Sequence, residues 1–204
     1  MLMDFMKAKD LLKKYDIKVV DSIYVNSAEE AIRFSDGDAI VLKLISEKAI
    51  HKSKAGLVKL NLKHEDEIKS AYEELKKRGT RLSPYKILAQ RMVNEGIEII
   101  VGGKEDNEFG KVIMIGMGGI YVETYKDVSM RLVPINSADA IDMINEIKAK
   151  DIITFNGEAE PILVNLLMKF SKLLNEHKEI KEMDINPIKI NKDSYNAIDL
   201  RFII

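Results

Sequence analysis

One apolar segment constrains the fold more than any other part of the sequence. Residues 39–45 read AIVLKLI, are apolar at every position except Lys43, and lie between Gly37 and Ser46. A short and almost continuous apolar run that is bounded by turn residues predicts a strand buried on both faces. Such a strand requires neighbouring strands in its sheet and covering layers on both sides, so the chain has to combine sheets with other packed elements.

Helical and strand patterns alternate along the first half of the chain. Ser27 and Glu30 form a capping-box pattern, which predicts the start of a helix. Residues 17–25 and 58–63 have strand patterns, and the second alternates strictly between apolar and polar positions. Two further helices are predicted from apolar residues that share one helical face, namely Phe5, Ala8, Leu11, Leu12 and Tyr15, and then Ile68, Ala71, Tyr72 and Leu75 before Gly79.

Pro84 opens a second half in which strand patterns predominate. Two helices are predicted within it, over residues 137–148 and after Pro161, which suits the first turn of a helix. No segment of flexible composition joins the halves, so we expect two lobes of one α+β fold rather than tethered domains. The predicted strands of this half cover 85–93, 97–103, 111–116, 120–123, 183–190 and 196–203.

The composition excludes several classes of site and partner. Lys and Arg number 32 against 33 Asp and Glu, and the net charge of −1 gives no support for a nucleic-acid or acidic-membrane partner. The sequence has no Cys, which excludes disulfides and thiolate metal sites. No apolar run approaches the ~18 residues of a membrane helix, and the N-terminus has no apolar signal core, so we expect a cytoplasmic protein.

The last two predicted strands carry polar residues at strand spacing. Asp184 and Asn186 are two residues apart, as are Asp199 and Arg201, so each pair points to one face of its strand. If the strands are neighbours, Asn186 and Asp199 offer two oxygens to a hard cation such as Mg²⁺, with nucleotide phosphates and water completing its shell. A solvated sheet face has the same spacing, and the pattern alone leaves both interpretations open.

Lys43 and His51 are candidates for phosphate chemistry. A charge inside an apolar strand is costly unless it meets an anion such as phosphate, although a lysine at a strand edge extends into solvent instead. His51 lies in a basic loop, AIHKSKAGLV, and a neutral imidazole is a competent nucleophile for phosphate. Most histidines are not catalytic, so position alone favours a surface role for His51.

A glycine-rich loop, residues 116–119, follows one of the apolar strands. It is not a Walker loop, because no Gly-Lys-Ser/Thr follows, and its third glycine is misplaced for a dinucleotide fingerprint. The glycines are compatible either with a close approach of the backbone to a ligand or with a tight turn.

Seven segments occur in one order: IVLKLIS, AIHKSKAGLVKL, QRMVNEGIEIIVG, FGKVIMIGMGGIYVE, KDVSMRLVPI, EMDINPI and IDLR. This series resembles the ATP-grasp subunit of the ADP-forming acetyl-CoA synthetases, a family related to succinyl-CoA synthetase, over nearly the whole chain. The resemblance implies an ATP-grasp fold with two α+β lobes. The smaller lobe is expected at 1–89 with the His51 loop, and the larger lobe at 90–204 with the Mg-nucleotide site.

The resemblance also implies a reaction, in which acyl-CoA, ADP and phosphate interconvert with the free acid, ATP and CoA. In this family a CoA-binding α subunit carries a first phosphohistidine, and the ATP-grasp subunit passes the phosphate to ADP by way of a second histidine. His51 matches that second histidine. We therefore expect a partnership with a CoA-binding α subunit, in a heterotetramer, and binding of Mg²⁺ and ATP or ADP.

Other site residues are implied by the same resemblance, position by position. Lys43 matches a lysine that contacts nucleotide phosphates, and Glu98 matches an acidic residue close to the nucleotide. Asp184 matches an acidic residue that supports the histidine transfer, and Arg201 lies where it helps to neutralise phosphate. The Mg²⁺ ligands correspond to Asn186 and Asp199, and the hinge whose backbone reads the adenine edge corresponds to Gln90, Arg91, Met92 and Val93.

Two other functions stay open at this point. A different ATP-grasp carboxylate ligase would make an acylphosphate, need no phosphohistidine, and turn over without a second subunit. A non-catalytic nucleotide-sensing module would bind ATP without phosphate on His51. The loop after His51 supports the second alternative, because it carries Lys54, Gly56 and Leu57 where the family usually has an acidic residue and a double glycine.

Overall fold

The structure is a computed structural model that describes residues 1–46, 48, 56–118 and 127–204 of the 204-residue chain. These residues form two compact units. The main unit contains Met1–Val19 and Glu95–Ile204, and the inserted unit contains Val20–Asn94. The chain therefore begins in the main unit, leaves it to form the inserted unit, and then returns.

The inserted unit is a sheet with helices on one face. Its described strands are β1 (Ser22–Val25), β2 (Ile40–Ile45), β3 (Val58–Leu62) and β4 (Lys86–Arg91), which pair antiparallel in the order β1-β4-β2-β3. Its helices are α2 (Ala28–Ser35) and α3 (Glu65–Gly79), and a 3₁₀ turn follows at Thr80–Leu82. The central position of β2 confirms that residues 39–45 form a buried strand.

The core of the inserted unit lies between this sheet and its two helices. Ile40, Leu42 and Leu44 of β2 are fully buried there, together with apolar residues of α2 and α3. The start of α2 follows from local chemistry, since Ser27 Oγ accepts a hydrogen bond from the Glu30 N–H at 3.2 Å. The Glu30 carboxylate reaches back to the Asn26 N–H at 2.7 Å, one residue before the position of a standard capping box.

The main unit is built on a larger sheet. Its described strands are β5 (Ile97–Asp106), β6 (Gly110–Met117), β7 (Val128–Leu132), β8 (Glu182–Ile190), β9 (Tyr195–Ala197) and β10 (Leu200–Ile203). They pair antiparallel in the order β10-β8-β5-β6-β7, with β9 also beside β8. Its helices are α1 (Phe5–Lys14), α4 (Ser137–Glu146), α5 (Lys150–Ile153) and α6 (Glu160–Glu176).

Helix α6 covers one face of this sheet, which we call the helix face. Pro161 lies in the first turn of α6, as its fixed φ and missing N–H favour. Leu174 of α6 lies so close to β5 that a Cβ at Gly103 would be 2.5 Å from Leu174 Cδ1. The residues of the helix face and of α6 that are fully buried include Ile99, Val101, Ile113, Ile115, Leu163, Leu166, Leu167 and Phe170.

The division into units differs from the predicted lobes 1–89 and 90–204. The first 19 residues belong with the second half of the chain, because α1 packs against β10 and Leu2 forms a β-bridge with Ile203. The later boundary falls after Asn94 rather than at residue 89. The helical stripe of α1 was thus correctly predicted, but its packing partner lies almost 200 positions away in the sequence, where local patterns carry no information.

The strands expected near the two ends of the chain also change in extent. The strand expected at 17–25 is shorter, with β1 beginning at Ser22 and Val19 making only an isolated bridge to Ala197. The strand expected at 196–203 is divided into β9 and β10. The strand expected at 120–123 lies outside the described residues. Within the described part of the chain, no helix is long and apolar enough to cross a membrane.

Candidate active site

The predicted metal ligands lie opposite each other at the junction of β8 and β10. These strands pair with Leu200 opposite Ile185 and Arg201 opposite Asp184. The pairing continues one step further, because the Asn186 N–H donates to the Asp199 carbonyl at 3.2 Å. Opposite residues on paired strands direct their side chains to the same face of a sheet. Asn186 and Asp199 therefore share the face opposite the helix face, which we call the site face.

The chemistry of these two side chains fits a magnesium ion that is shared with a ligand. Asn186 is exposed and Asp199 is half-exposed, and Asp199 Oδ1 accepts a hydrogen bond from the Leu200 N–H at 3.1 Å. Among the described residues there is no group of three His, Cys, Asp or Glu side chains that could hold a metal. Two protein oxygens suit a divalent cation such as Mg²⁺ when phosphates and water supply its remaining ligands.

Asp184 lies on the same face, one pleat away from Asn186. Within the described part of the chain, its Oδ1 atom is buried and has no hydrogen-bond partner. Burial raises the pKa of Asp184; the charges of Asp199 and Glu182 also raise this pKa, and Arg201 opposes the rise. A buried carboxylate oxygen without a donor is costly, and such atoms are typical of sites that await a ligand.

Arg201 lies directly across from Asp184 and remains available to solvent. Its side chain is 57% exposed, and Nη1 lies 3.5 Å from Glu182 Oε1. Because the Arg201 guanidinium is exposed, it can attract phosphate, and no buried ion pair has to be broken for it to do so. The structure thus groups Asp184, Asn186, Asp199 and Arg201 on one face of the main sheet, because the two strands are neighbours, which the sequence had left as a condition.

Glu98 is held at the start of β5 on the same face. It pairs across the strands with Lys189 of β8, and the Lys189 Nζ lies 4.0 Å from Glu98 Oε1. The Gly118 N–H donates to the Glu98 carbonyl at 2.6 Å. A Cβ at Gly118 would lie 2.8 Å from the Glu98 carbonyl carbon, so only glycine fits this approach. The glycine loop of the sequence therefore serves, at Gly118, to bring two backbone segments together.

Lys189 was missed by the sequence analysis. Strict alternation from Asn186 places Ile188 on the site face and Lys189 on the helix face. The pairing of β5 with β8 shifts register between Ile99 and Val101, and beyond that shift Lys189 lies opposite Glu98. An irregularity of this kind reverses the direction of every later side chain, and the letters MDINPIKI alone do not reveal it.

Lys43 belongs to the inserted unit and is buried in the middle of its sheet. It lies in β2 between Leu88 of β4 and Val58 of β3, and only 6% of the residue is exposed. It alternates with Leu42 and Leu44, so it points away from the core that α2 and α3 cover. With 6% of the residue exposed, Lys43 does not extend into solvent, which was one of the two alternatives left open by the sequence.

The hinge segment 90–93 has its own set of hydrogen bonds. The Arg91 N–H donates to the Asp21 carbonyl at 2.9 Å, and the Met92 N–H donates to the Ala39 carbonyl at 3.0 Å. The Arg91 guanidinium donates to the Ser35 carbonyl at the end of α2 and stacks over the ring of Phe34. The backbone N–H groups of Arg91 and Met92 are therefore already used within the inserted unit, and the Arg91 side chain contacts α2 of the same unit.

His51, the predicted carrier of phosphate, lies outside the described residues. Lys54 and Gly119 lie outside them too. Gly56 and Leu57, at the end of the loop, are described, and the Leu57 carbonyl accepts a hydrogen bond from the Leu44 N–H at 2.9 Å. The described side of the loop is thus tied to β2, next to the strand position of Lys43.

The chain matches the family described as ATP-grasp domain over residues 1–204. It is 39% identical to the ADP-forming acetate–CoA ligase I subunit beta of Pyrococcus furiosus, across 97% of this chain and 90% of that protein. This degree of similarity over nearly the full length of both proteins supports the fold and the family that the seven ordered segments indicated.

Two solved structures from Ca. Korarchaeum cryptofilum have the same fold. One is its dinucleotide-forming acetyl-coenzyme A synthetase 1 with coenzyme A and Ca-AMPCP, with a TM-score of 0.91, 35% identity, and coverage of 100% of this chain and 93% of that chain. The other holds coenzyme A and Mg-AMPPCP, with its phosphohistidine segment pointing towards the nucleotide binding site (TM-score 0.85, 33% identity, coverage 100% and 92%).

Proposed function

The chain belongs to the ATP-grasp domain family, and from that premise we propose that it is the nucleotide-binding β subunit of an ADP-forming acyl-CoA synthetase. The reaction interconverts acyl-CoA, ADP and phosphate with the free acid, ATP and CoA. The observation that carries the proposal is the register of β8 and β10, which places Asn186 opposite Asp199 and Asp184 opposite Arg201 on one face. Phosphoryl transfer depends on such placement of metal ligands and charges.

Asn186 and Asp199 are the residues that would hold Mg²⁺ with the nucleotide. When bound, the ion neutralises charge on the phosphates and orients them for in-line transfer. Asn186 contributes its amide oxygen, and Asp199 contributes the carboxylate oxygen that does not accept from the Leu200 N–H. The structures with Ca-AMPCP and Mg-AMPPCP support a divalent ion with a nucleotide in relatives of this chain.

Asp184 is proposed to orient the histidine that carries phosphate. Its buried Oδ1 has no donor among the described residues, and an imidazole N–H would supply one. A carboxylate that accepts from one ring nitrogen fixes the tautomer and leaves the other nitrogen free to attack phosphorus. Arg201 then counters the negative charge that the phosphoryl group brings to this carboxylate.

The remaining candidate residues are proposed to bind the nucleotide itself. Lys43 supplies a buried positive charge for the phosphates. Glu98 supplies a carboxylate beside the nucleoside, and the base is read by the backbone of the 90–93 segment, at groups other than the Arg91 and Met92 N–H. His51 is proposed as the transient carrier, as its match to the second histidine of the family implies.

The partner is proposed to be the CoA-binding α subunit of the same enzyme. The name of the Pyrococcus furiosus relative describes it as a β subunit, which supports a second subunit for this chain as well. We further propose a heterotetramer and a cytoplasmic location.

Transfer of phosphate to His51 tests this proposal. The purified chain, alone and together with its CoA-binding subunit, is incubated with Mg²⁺ and [γ-³²P]ATP. We expect an acid-labile, base-stable label on His51 that is lost in His51→Asn and is chased into ATP by added ADP. Asp184→Asn is expected to lower the rate of labelling by roughly 10²-fold or more, which is the usual loss when a catalytic orienting group is removed.

Either alternative function gives a different result in the same assay. A carboxylate ligase of another type would turn over without the second subunit and leave His51 unlabelled. A nucleotide-sensing module would bind ATP with no label in either condition. Full activity of His51→Asn in the reconstituted enzyme would also contradict the proposal.

A further inference from the structure

The backbone at Glu98 is fixed from two directions within the main unit. Gly118 contacts it closely and donates to its carbonyl at 2.6 Å. Gly96, two residues earlier, has φ of +110°, and a Cβ there would lie 2.9 Å from the Ile190 carbonyl oxygen. A side chain at either glycine would clash with neighbouring backbone, so both close approaches beside Glu98 require glycine. The direction of its carboxylate then depends on the neighbouring side chains of the site face.

Lys189 is the cation that faces this carboxylate across the strands. The Lys189 side chain is only 17% exposed, against 42% for Glu98. A partly buried pair is screened by salt less than a surface pair. At 4.0 Å the Nζ–Oε1 separation is too long for a hydrogen bond, so this contact attracts the carboxylate without using its acceptor positions.

These features suit a carboxylate that has to accept hydrogen bonds from a ligand. Phosphate groups repel a carboxylate, so the donors that match it on a nucleotide are the neutral hydroxyls of the sugar and the amino group of the base. We propose that Lys189 is a positioning residue, which holds the Glu98 carboxylate in the direction that accepts from these donors. The inference rests on the proposed function, because it requires a nucleotide on the site face.

The experiment is a double-mutant cycle read by calorimetric binding of Mg-ADP. The variants are Lys189→Met, which keeps much of the side-chain length without the charge, Glu98→Gln, and the double variant. Lys189→Met is expected to weaken binding about 3- to 10-fold, the range of one charge-assisted contact that is partly exposed. In the Glu98→Gln background the same change should have almost no further effect, since coupled residues are not additive.

Three controls separate positioning from a structural role. Lys192→Met alters an exposed lysine just beyond β8 and should bind as the wild type does. Lys189→Arg keeps the charge and should restore most of the affinity. Binding of 2′,3′-dideoxy-ADP and of inosine diphosphate identifies the group on the nucleotide that donates to Glu98. The analogue that lacks this donor should bind to wild type and to Lys189→Met with the same affinity.

The outcomes also separate this inference from the proposed function. If the wild type binds Mg-ADP and Lys189→Met binds it equally well, Lys189 has no positioning role and the proposed function stands. Equal losses in the wild-type and Glu98→Gln backgrounds would show that Lys189 acts independently of Glu98 and would also overturn the inference. A wild-type chain that binds no nucleotide would overturn both proposals.

Discussion

The helix face and the site face of the main sheet use the same strands for different purposes. On the helix face, aliphatic residues of β5, β6 and β8 are fully buried, and α6 packs against them. On the site face, the same strands carry carboxylates, an amide and a lysine. Ile185 and Asn186 are adjacent in β8, yet one is fully buried and the other exposed. Because side chains alternate along a strand, adjacent residues of one strand contribute to different functions: one packs in the core and stabilises the fold, and the next lies in the candidate site.

The largest expected effect comes from the helix face. Phe170→Ala removes a fully buried ring from α6 and should lower the free energy of unfolding by about 3–5 kcal/mol, because it leaves a cavity that the sheet cannot close. Urea denaturation measures the change, and Lys172→Ala, at an exposed position of the same helix, is the control. Similar losses for the two variants would mean that α6 is not anchored by this face.

A smaller effect of opposite sign is expected on the site face. The pKa of Asp184 is raised in the folded chain, so its ionisation opposes folding and stability is lost as pH rises above the unfolded value. Asp184→Asn should therefore raise the free energy of unfolding at pH 7 by about 0.5–1 kcal/mol, in the range of a buried polar group that lacks a partner. This increase in the free energy of unfolding should disappear near pH 3.

Asp193→Asn is the matched control for that variant, since Asp193 lies in an exposed turn of the same unit. Denaturation of both variants at pH 7 and pH 3 decides the sign. A lower free energy of unfolding for Asp184→Asn at pH 7 would show that the carboxylate stabilises the fold. Asp184 would then contradict the division between a stabilising helix face and a site face.

The smallest expected effect lies at the edge of the helix face. Glu146 of α4 accepts from Arg131 at 2.5 Å and from Ser129 at 2.5 Å, and these bonds lower the pKa of Glu146 to about 2. Its contribution to stability is present above its unfolded pKa and is lost as pH falls towards 2. Wild type should therefore lose more stability between pH 6 and pH 3 than Glu146→Gln does.

Thermal denaturation at these two pH values measures that difference, with Glu158→Gln as an exposed control. The effect should be small because the pair is largely exposed and solvent screens it. Equal acid sensitivity of wild type and Glu146→Gln would show that this pair does not connect β7 with α4 in solution.

Much of the fold followed from periodicity and capping. The apolar stripe of α6, the buried strand β2 and the start of α2 at Ser27 are all local patterns, and the structure confirms them. Strand spacing predicted that Asp184 and Asn186 share one face, as do Asp199 and Arg201, and the pairing of β8 with β10 brings the two pairs together. The spacing left a metal site and a solvated sheet face as open interpretations. The resemblance to a known family, and not the spacing, assigned roles to these residues.

The features that the sequence did not predict depend on contacts between distant segments. The packing of α1 on β10 joins the two ends of the chain, and no local pattern records it. The position of Lys189 depends on a register shift between β5 and β8, and the N–H groups of Arg91 and Met92 are used by carbonyls of Asp21 and Ala39. Registers and long-range partners are set by the packed structure, so periodicity alone cannot give them.

The central claim is that the site face of the main sheet holds a metal–nucleotide complex. Calorimetry of ADP binding, with and without Mg²⁺, tests it most directly, with Asp199→Asn, Lys43→Ala and the exposed control Asp193→Asn beside the wild type. The account predicts binding that requires Mg²⁺, is lost in Asp199→Asn and Lys43→Ala, and is unchanged in the control. Tight Mg²⁺-dependent binding by a folded Asp199→Asn variant would contradict it.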